Sequence, residues 1–280
     1  MDKEKNTYTR REFLVLGGAV TTAILCGATT QIVRFLVDRK YDTAIEEVDK
    51  KYGLEATAIA QDPEWQRNVA GRLYYASGTF TLNDDAAHCS ISFISKDVDK
   101  NIMYLLTANH CLPETFKTLT IRQPQLPDSK EIVVDSQNVR FVSHPDGKDM
   151  AIIAVKSLQA IEQLDIIPYL PISPENINKE LCAMVYPGFN GNDYPQTPIA
   201  IKTNLQRNIL GQPKRIENLY LLESSGWGGM SGSGFSICQT DAVIGVASSL
   251  GLLDHGKLRL ELVDKSVDQM ILDAGALFDH

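Results

Sequence analysis

A chain of 280 residues, 44% hydrophobic and 22% charged, has the make-up of a globular protein with a substantial core. Its formal net charge of −8 disfavours nucleic-acid binding, because phosphate recognition needs a basic face. The length accommodates one large domain or two small ones, and Gly and Pro are too sparse to signal disorder.

Arg10 and Arg11, framed by Thr9, Phe13 and Leu14, precede an uncharged run that reaches Val33. This pattern resembles a twin-arginine export signal. A plain signal-anchor with arginines at its cytoplasmic end is the alternative. Residues 1–33 are therefore expected to be an export signal or a membrane anchor. The stretch 13–33 is long enough for a spanning helix of ~20 residues. Small residues such as Ala23 and Ala28 are present but no clean A-x-A site, so both removal and retention as a tether stay open. Cys26 as a lipid-modified cysteine is the weaker idea, since Ala23 stands where Leu would be usual.

Residues 34–69 are charged and helix-friendly. Phe35, Tyr41, Ile45, Val48 and Tyr52 recur at helical spacing, which predicts a linker or packing helix, with a cleavable propeptide as the functional alternative. After Val69 the texture changes to short apolar or alternating stretches: LYYASGTFTL, HCSISFIS, NIMYLLTA, FKTLTIRQ, EIVVDSQNVRFV and MAIIAV. ELCAMVYPGF, PIAIKTNLQ, NLYLLES, GSGFSIC and AVIGVASSLG follow. Closely spaced polar and Gly/Pro punctuation makes residues 70–262 read as an all-β sandwich or barrel. Helical spacing returns over 263–275, with Gly275 as a candidate helix stop.

Of the five cysteines, Cys89, Cys111, Cys182 and Cys238 form an even set outside the N-terminal run. No CxxC or Cys/His metal spacing occurs, so no metal is implied, and two disulfides suit an exported protein.

Three local signals follow one another. His110 closes the apolar run LLTANHC. Asp149 immediately precedes AIIAV. Ser231 sits in GWGGMSGSGF among Gly228, Gly229, Gly232 and Gly234. Each alone has a plain alternative: a buried structural histidine, an aspartate ending a turn, a flexible Gly/Ser loop. Ser225 and Ser233 are competing nucleophiles and His144 a competing base. His88 beside Cys89 looks incidental.

Thr107-Ala108-Asn109-His110-Cys111, Asp149-Met150-Ala151-Ile152-Ile153 with His144-Pro145 ahead of it, and Gly229-Met230-Ser231-Gly232-Ser233 together resemble the three motifs of chymotrypsin-like serine proteases, bacterial type, in the same order. The resemblance spans roughly 70–275 and implies two antiparallel six-stranded β-barrels with a C-terminal helix, the protease domain being 70–280. It implies a serine endopeptidase acting on a peptide or protein, with Ser231 as nucleophile, His110 as base and Asp149 orienting it, and no cofactor. The amides of Gly229 and Ser231 would form the oxyanion hole, where losing one donor typically costs ~3 kcal/mol of barrier. It also implies the pairings Cys89–Cys111 and Cys182–Cys238.

Two positions depart from the family's pattern: Asn109 replaces the commoner Ala, and Met230 stands where zymogens carry an aspartate that pairs with a new N-terminus. Activity is therefore expected not to depend on such an N-terminus. The specificity pocket should have Ser225 near its base, with Ser248, Ser249 and Leu250 on the strand that pairs with substrate backbone. Asp254 is a candidate pocket acid, with an exposed turn as the plainer reading. A catalytically inactive protease-fold binding protein is the rival function. The expected location is the periplasm or cell surface, secreted or tethered through residues 13–33.

Overall fold

The computed structural model describes residues 63–83, 88–126, 128, 131–186, 198–208, 210–213, 215–216, 219–225, 229–238, 240–248 and 257–279. The export-signal expectation, the helical pattern around Tyr41 and Cys26 lie outside them. Helix α1 (Pro63–Ala70) runs into a 3-10 turn (Gly71–Tyr74) and then into β-structure.

The first sheet comprises β1 (Ser77–Leu82), β2 (His88–Asp97), β3 (Ile102–Thr107), β4 (Thr118–Arg122), β5 (Ile132–Asp135), β6 (Val139–Ser143) and β7 (Ala151–Lys156), in spatial order β5-β4-β1-β2-β3-β7-β6. A short helix α2 (Leu158–Gln163) leads toward the second sheet: β8 (Leu181–Val185), β9 (Ile199–Thr203), β10 (Arg215–Ile216), β11 (Leu219–Ser225), β12 (Gly234–Ile237), β13 (Val243–Ser248) and β14 (Lys257–Leu262). Its order is β10-β11-β14-β13-β12-β8-β9. Every pairing between named strands is antiparallel. The chain ends on helix α3 (Ser266–Ala276).

Among the described residues each sheet has seven strands, where six were expected of each barrel. In the first, EIVVDSQNVRFV is not one strand: its polar centre, Ser136–Asn138, forms a 3-10 turn that separates β5 from β6. In the second, the two-residue β10 adds an edge.

The apolar runs owe their length to burial on both faces. Alternate side chains of a strand point to opposite sides. Along β3, Met103 and Leu105 enter the cluster enclosed by the first sheet, while Ile102, Tyr104 and Leu106 enter a second cluster shared with Met184, Val243 and Val246 of the other sheet. Ile153 and Val155 repeat the inward choice on β7, and Ile152 and Ala154 the outward one. All seven strands of the first sheet contribute to its enclosed cluster, from Phe80 on β1 to Val139 on β6. A third cluster, with Leu181, Leu222, Phe235 and Leu260, fills the second sheet. At roughly 1.5–3 kcal/mol per fully buried large aliphatic or Phe side chain, these three clusters supply the main folding drive.

Gly275 is not a helix stop. It lies inside α3, where a Cβ would come within 2.6 Å of Tyr104 Oη, so its small size lets the helix close on β3. At the other end, Asp264 Oδ1 accepts the N–H of Ser266, the first residue of α3, at 2.8 Å.

Candidate active site

Strand pairing brings two of the three motifs together. β3 and β7 align with Thr107 opposite Ala151, so the residues just after β3 meet the residues just before β7. His110 lies on the first side, in a 3-10 turn (Asn109–Cys111), and Asp149 on the second. Asp149 Oδ1 accepts the His110 backbone N–H at 2.9 Å, and Oδ2 lies 2.7 Å from Nδ1 of the ring. The Ser248 hydroxyl, at the end of β13, donates to the same Oδ2 at 2.5 Å.

Burial pushes the Asp149 carboxyl up, but the hydrogen bonds from the His110 ring, Ser248 and the His110 backbone outweigh it and hold the group at about 2. Asp149 is thus ionised at neutral pH and can only accept. The proton between it and His110 therefore sits on Nδ1, so that in the neutral imidazole it is Nε2 that keeps a lone pair.

Ser231 reaches this region from the second sheet, in the turn that leads into β12. Its carbonyl accepts the N–H of Ser90 on β2 at 2.8 Å. The Sγ of Cys111 lies 3.9 Å from His110 Nε2 and 4.0 Å from the Ser231 carbonyl oxygen, so both residues flank one sulfur. Among the described residues, no hydrogen bond joins His110 Nε2 to Ser231 Oγ, and neither the Gly229 nor the Ser231 amide has an acceptor.

Gly229 and Gly232 hold φ of +84° and +89°, the left-handed region that side chains disfavour. At Gly232 a Cβ would also meet the Ser90 carbonyl at 2.1 Å and Thr107 Oγ1 at 2.3 Å. The turn closes through Gly232 N–H to Ala247 O and Ser233 N–H to Met230 O.

Both departures from the family's pattern have physical roles. The Ser143 hydroxyl donates to Asn109 Oδ1 at 2.7 Å, tying the histidine turn to β6. Met230 is fully buried in the cluster of the second sheet, an apolar anchor where a charge was absent.

The competing residues are placed elsewhere. Ser233 is 1% exposed with an unpartnered hydroxyl, whereas Ser231 is half-buried. His144 is buried; its Nδ1 accepts the Asp146 N–H and its Nε2 faces Asp264 Oδ1 at 3.2 Å. These three residues bring ligand-type atoms within 4.8 Å of one another, but both ring nitrogens are already engaged. Lys148 also donates to Asp264. Cys89–Cys111 and Cys182–Cys238 are both bonded. The Ser225 backbone belongs to β11, while its side chain, Ser249, Leu250 and Asp254 lie outside the described residues.

Ser248 was expected on the strand that pairs with substrate backbone; its hydroxyl is in addition a donor to Asp149, which the sequence did not signal. Sequence reasoning missed Ser90 and Glu261. The Asp149 backbone N–H reaches the Glu261 carboxyl on β14, and burial pushes that carboxyl up to about 7, with Lys148 acting against the shift.

No protein-family model matches this sequence, and no curated protein does. Among solved structures, the chain is similar to the scabies mite inactivated protease paralogue S-I1, with a TM-score of 0.52, 15% identity and coverage of 74% of this chain and 96% of that one. It is also similar to Rv3671c from M. tuberculosis, a serine-to-alanine mutant in an inactive form, with a TM-score of 0.50, 17% identity and coverage of 77% and 94%. At such identities the likeness concerns architecture alone, and that architecture is the chymotrypsin-like fold.

Proposed function

We propose that the chain is a serine endopeptidase, exported or membrane-tethered, in which Ser231 attacks, His110 moves the proton and Asp149 orients the imidazole. The observation that carries this reading is the two-point capture of His110 by an ionised Asp149 beside the turn bearing Ser231. A serine hydroxyl is a weak nucleophile until a base takes its proton. In the first step Ser231 Oγ bonds to the peptide carbonyl carbon and its proton passes to Nε2. The oxyanion is held by the Gly229 and Ser231 amides. The C–N bond then breaks, and the leaving amine takes the proton from Nε2. Water repeats the sequence on the acyl-ester: it gives a proton to Nε2, which returns it to Ser231 Oγ as the carboxylic acid leaves.

The substrate is a peptide or protein. Ser225, Ser249 and Leu250 are the proposed binding residues, with Ser248 contributing through its backbone. No cofactor is implied. Two disulfides fit an oxidising compartment, the periplasm or cell surface, with residues 13–33 as signal or tether.

A second reading, an inactive protease-fold binding protein, is favoured by one observation: the missing hydrogen bond between His110 Nε2 and Ser231 Oγ. Such bonds are often long before substrate binds, which keeps the enzyme reading ahead. Incubation of the full-length protein with a mixed peptide library, read by mass spectrometry for new termini, separates the two. Cleavage by wild type and none by Ser231→Ala is expected; an intact library with folded wild type would favour the binding protein.

A further inference from the structure

Two consecutive residues of β2 hold both halves of the candidate site. Cys89 is bonded to Cys111, next to His110. Ser90, fully buried, donates its N–H to the Ser231 carbonyl at 2.8 Å and its hydroxyl to the Gly229 carbonyl at 2.7 Å. Its own carbonyl accepts the Thr107 hydroxyl at 2.9 Å, at the end of the strand that leads to His110. One serine thus takes the carbonyls on either side of Met230. Any residue but proline at position 90 could make the first of these bonds, but only a side-chain donor makes the second.

The second bond has a specific consequence. The Gly229 carbonyl shares a rigid peptide plane with the Met230 N–H. Gly229 has no Cβ to restrict its own rotation, and its φ of +84° is one of several states open to it. Met230 carries no charge, so no ion pair made by its side chain can fix that plane. Its burial anchors the side chain in the second sheet, and the Ser90 hydroxyl bonds the carbonyl that precedes it.

We propose that Ser90 is the positioning residue of the nucleophile turn: its hydroxyl, in place of a charge at position 230, holds the Gly229–Ser231 backbone in the shape that keeps both amides unpaired. This rests on the endopeptidase reading above, and it predicts that oxyanion stabilisation fails before binding does.

The test uses the full chain and a fluorophosphonate, whose capture forms a Ser231 Oγ–P bond, expels fluoride and passes the hydroxyl proton to His110. Saturation kinetics separate the limiting rate from the half-saturating concentration. Ser90→Ala should lower the limiting rate about 10- to 100-fold, less than outright loss of an oxyanion donor, with half-saturation changed by less than about twofold. Ser90→Thr, which keeps the hydroxyl, should stay within about threefold of wild type. Hydrogen exchange gives a readout independent of activity. The Gly232 and Ser233 amides should exchange about tenfold faster in Ser90→Ala, with β3 and β7 unchanged.

A Ser90→Ala protein with wild-type limiting rate and wild-type exchange at these amides overturns the proposal, as does a uniform acceleration across β3 and β7. Should wild type itself not label, the endopeptidase reading fails, and exchange alone decides the role of Ser90. Should Ser90→Ala not fold, Ser90→Gly carries the same comparison.

Discussion

Asp149 takes two hydrogen bonds from one residue, His110: the backbone N–H at 2.9 Å to one carboxylate oxygen and the ring Nδ1 at 2.7 Å to the other. A single contact would leave the ring free to swing about it; two contacts fix both the turn and the ring. The same pair decides which ring nitrogen keeps its lone pair.

Asp149→Asn tests that statement. The amide can still accept from one His110 donor, but its NH2 group confronts the other or the Ser248 hydroxyl. The ring then loses its tautomer preference, and the rate of serine labelling near neutral pH should fall on the order of 10⁴-fold. A loss under about tenfold would mean that the carboxylate does not set the protonation of His110.

Glu261 gives the stability an unusual pH slope. It is 3% exposed, and burial raises its carboxyl from the ordinary 4.5 to about 7. Between those values the folded state holds a proton that the unfolded chain releases. Stability therefore falls as pH rises through that window, by roughly 3 kcal/mol, and is flat above it. Asp149 acts in the opposite sense outside the window: held at about 2, it stabilises above its ordinary 3.8 and loses that share as pH falls through 2. Glu261→Gln stays neutral and keeps an acceptor for the Asp149 N–H. Urea unfolding at acid and alkaline ends of the window should show the variant gaining on wild type by that amount as pH rises. Parallel curves would show that Glu261 titrates normally.

The two disulfides should separate stability from activity. Cys182 and Cys238 lie 56 residues apart and Cys89 and Cys111 lie 22 apart. Loop-closure entropy assigns about 4 and about 3 kcal/mol to them. Replacing Cys182 and Cys238 together by Ala should cost stability while labelling of the folded fraction stays near wild type. Replacing Cys89 and Cys111 should cost labelling as well, because the sulfur of Cys111 lies against both His110 and Ser231. Equal labelling of the two variants would show that the first bridge is structural only.

Gly232→Ala should be among the most damaging single substitutions. The new Cβ would lie 2.1 Å from the Ser90 carbonyl and 2.3 Å from Thr107 Oγ1, in a residue with φ of +89°. The backbone must move, and a loss of at least about 3 kcal/mol in chemical unfolding is expected. Near-neutral behaviour would mean that the turn is far looser than its hydrogen bonds imply.

The candidate residues His110 and Asp149 were legible in the sequence because one follows and the other precedes an apolar strand. His110 follows β3, Asp149 precedes β7, and antiparallel pairing of those two strands then juxtaposes them. The glycines around Ser231 announced a tight turn. The supporting residues had no such signature. Ser90, Ser248 and Glu261 are ordinary polar residues on strands, and only the approach of the other sheet or of a neighbouring strand turns them toward the site. Among the described residues the additional division in the first sheet falls where a polar block interrupts an apolar run at Ser136–Asn138. Gly275 misled because glycine near a helix end usually marks a stop, whereas here close contact with Tyr104 requires it.

Fluorophosphonate labelling of the oxidised full-length protein, beside Ser231→Ala and His110→Ala, tests the central claim most directly. The account predicts rapid labelling of wild type, none of Ser231→Ala, and at most slow labelling of His110→Ala. A folded, disulfide-bonded wild type that does not label, or a Ser231→Ala protein that labels as fast as wild type, would contradict it.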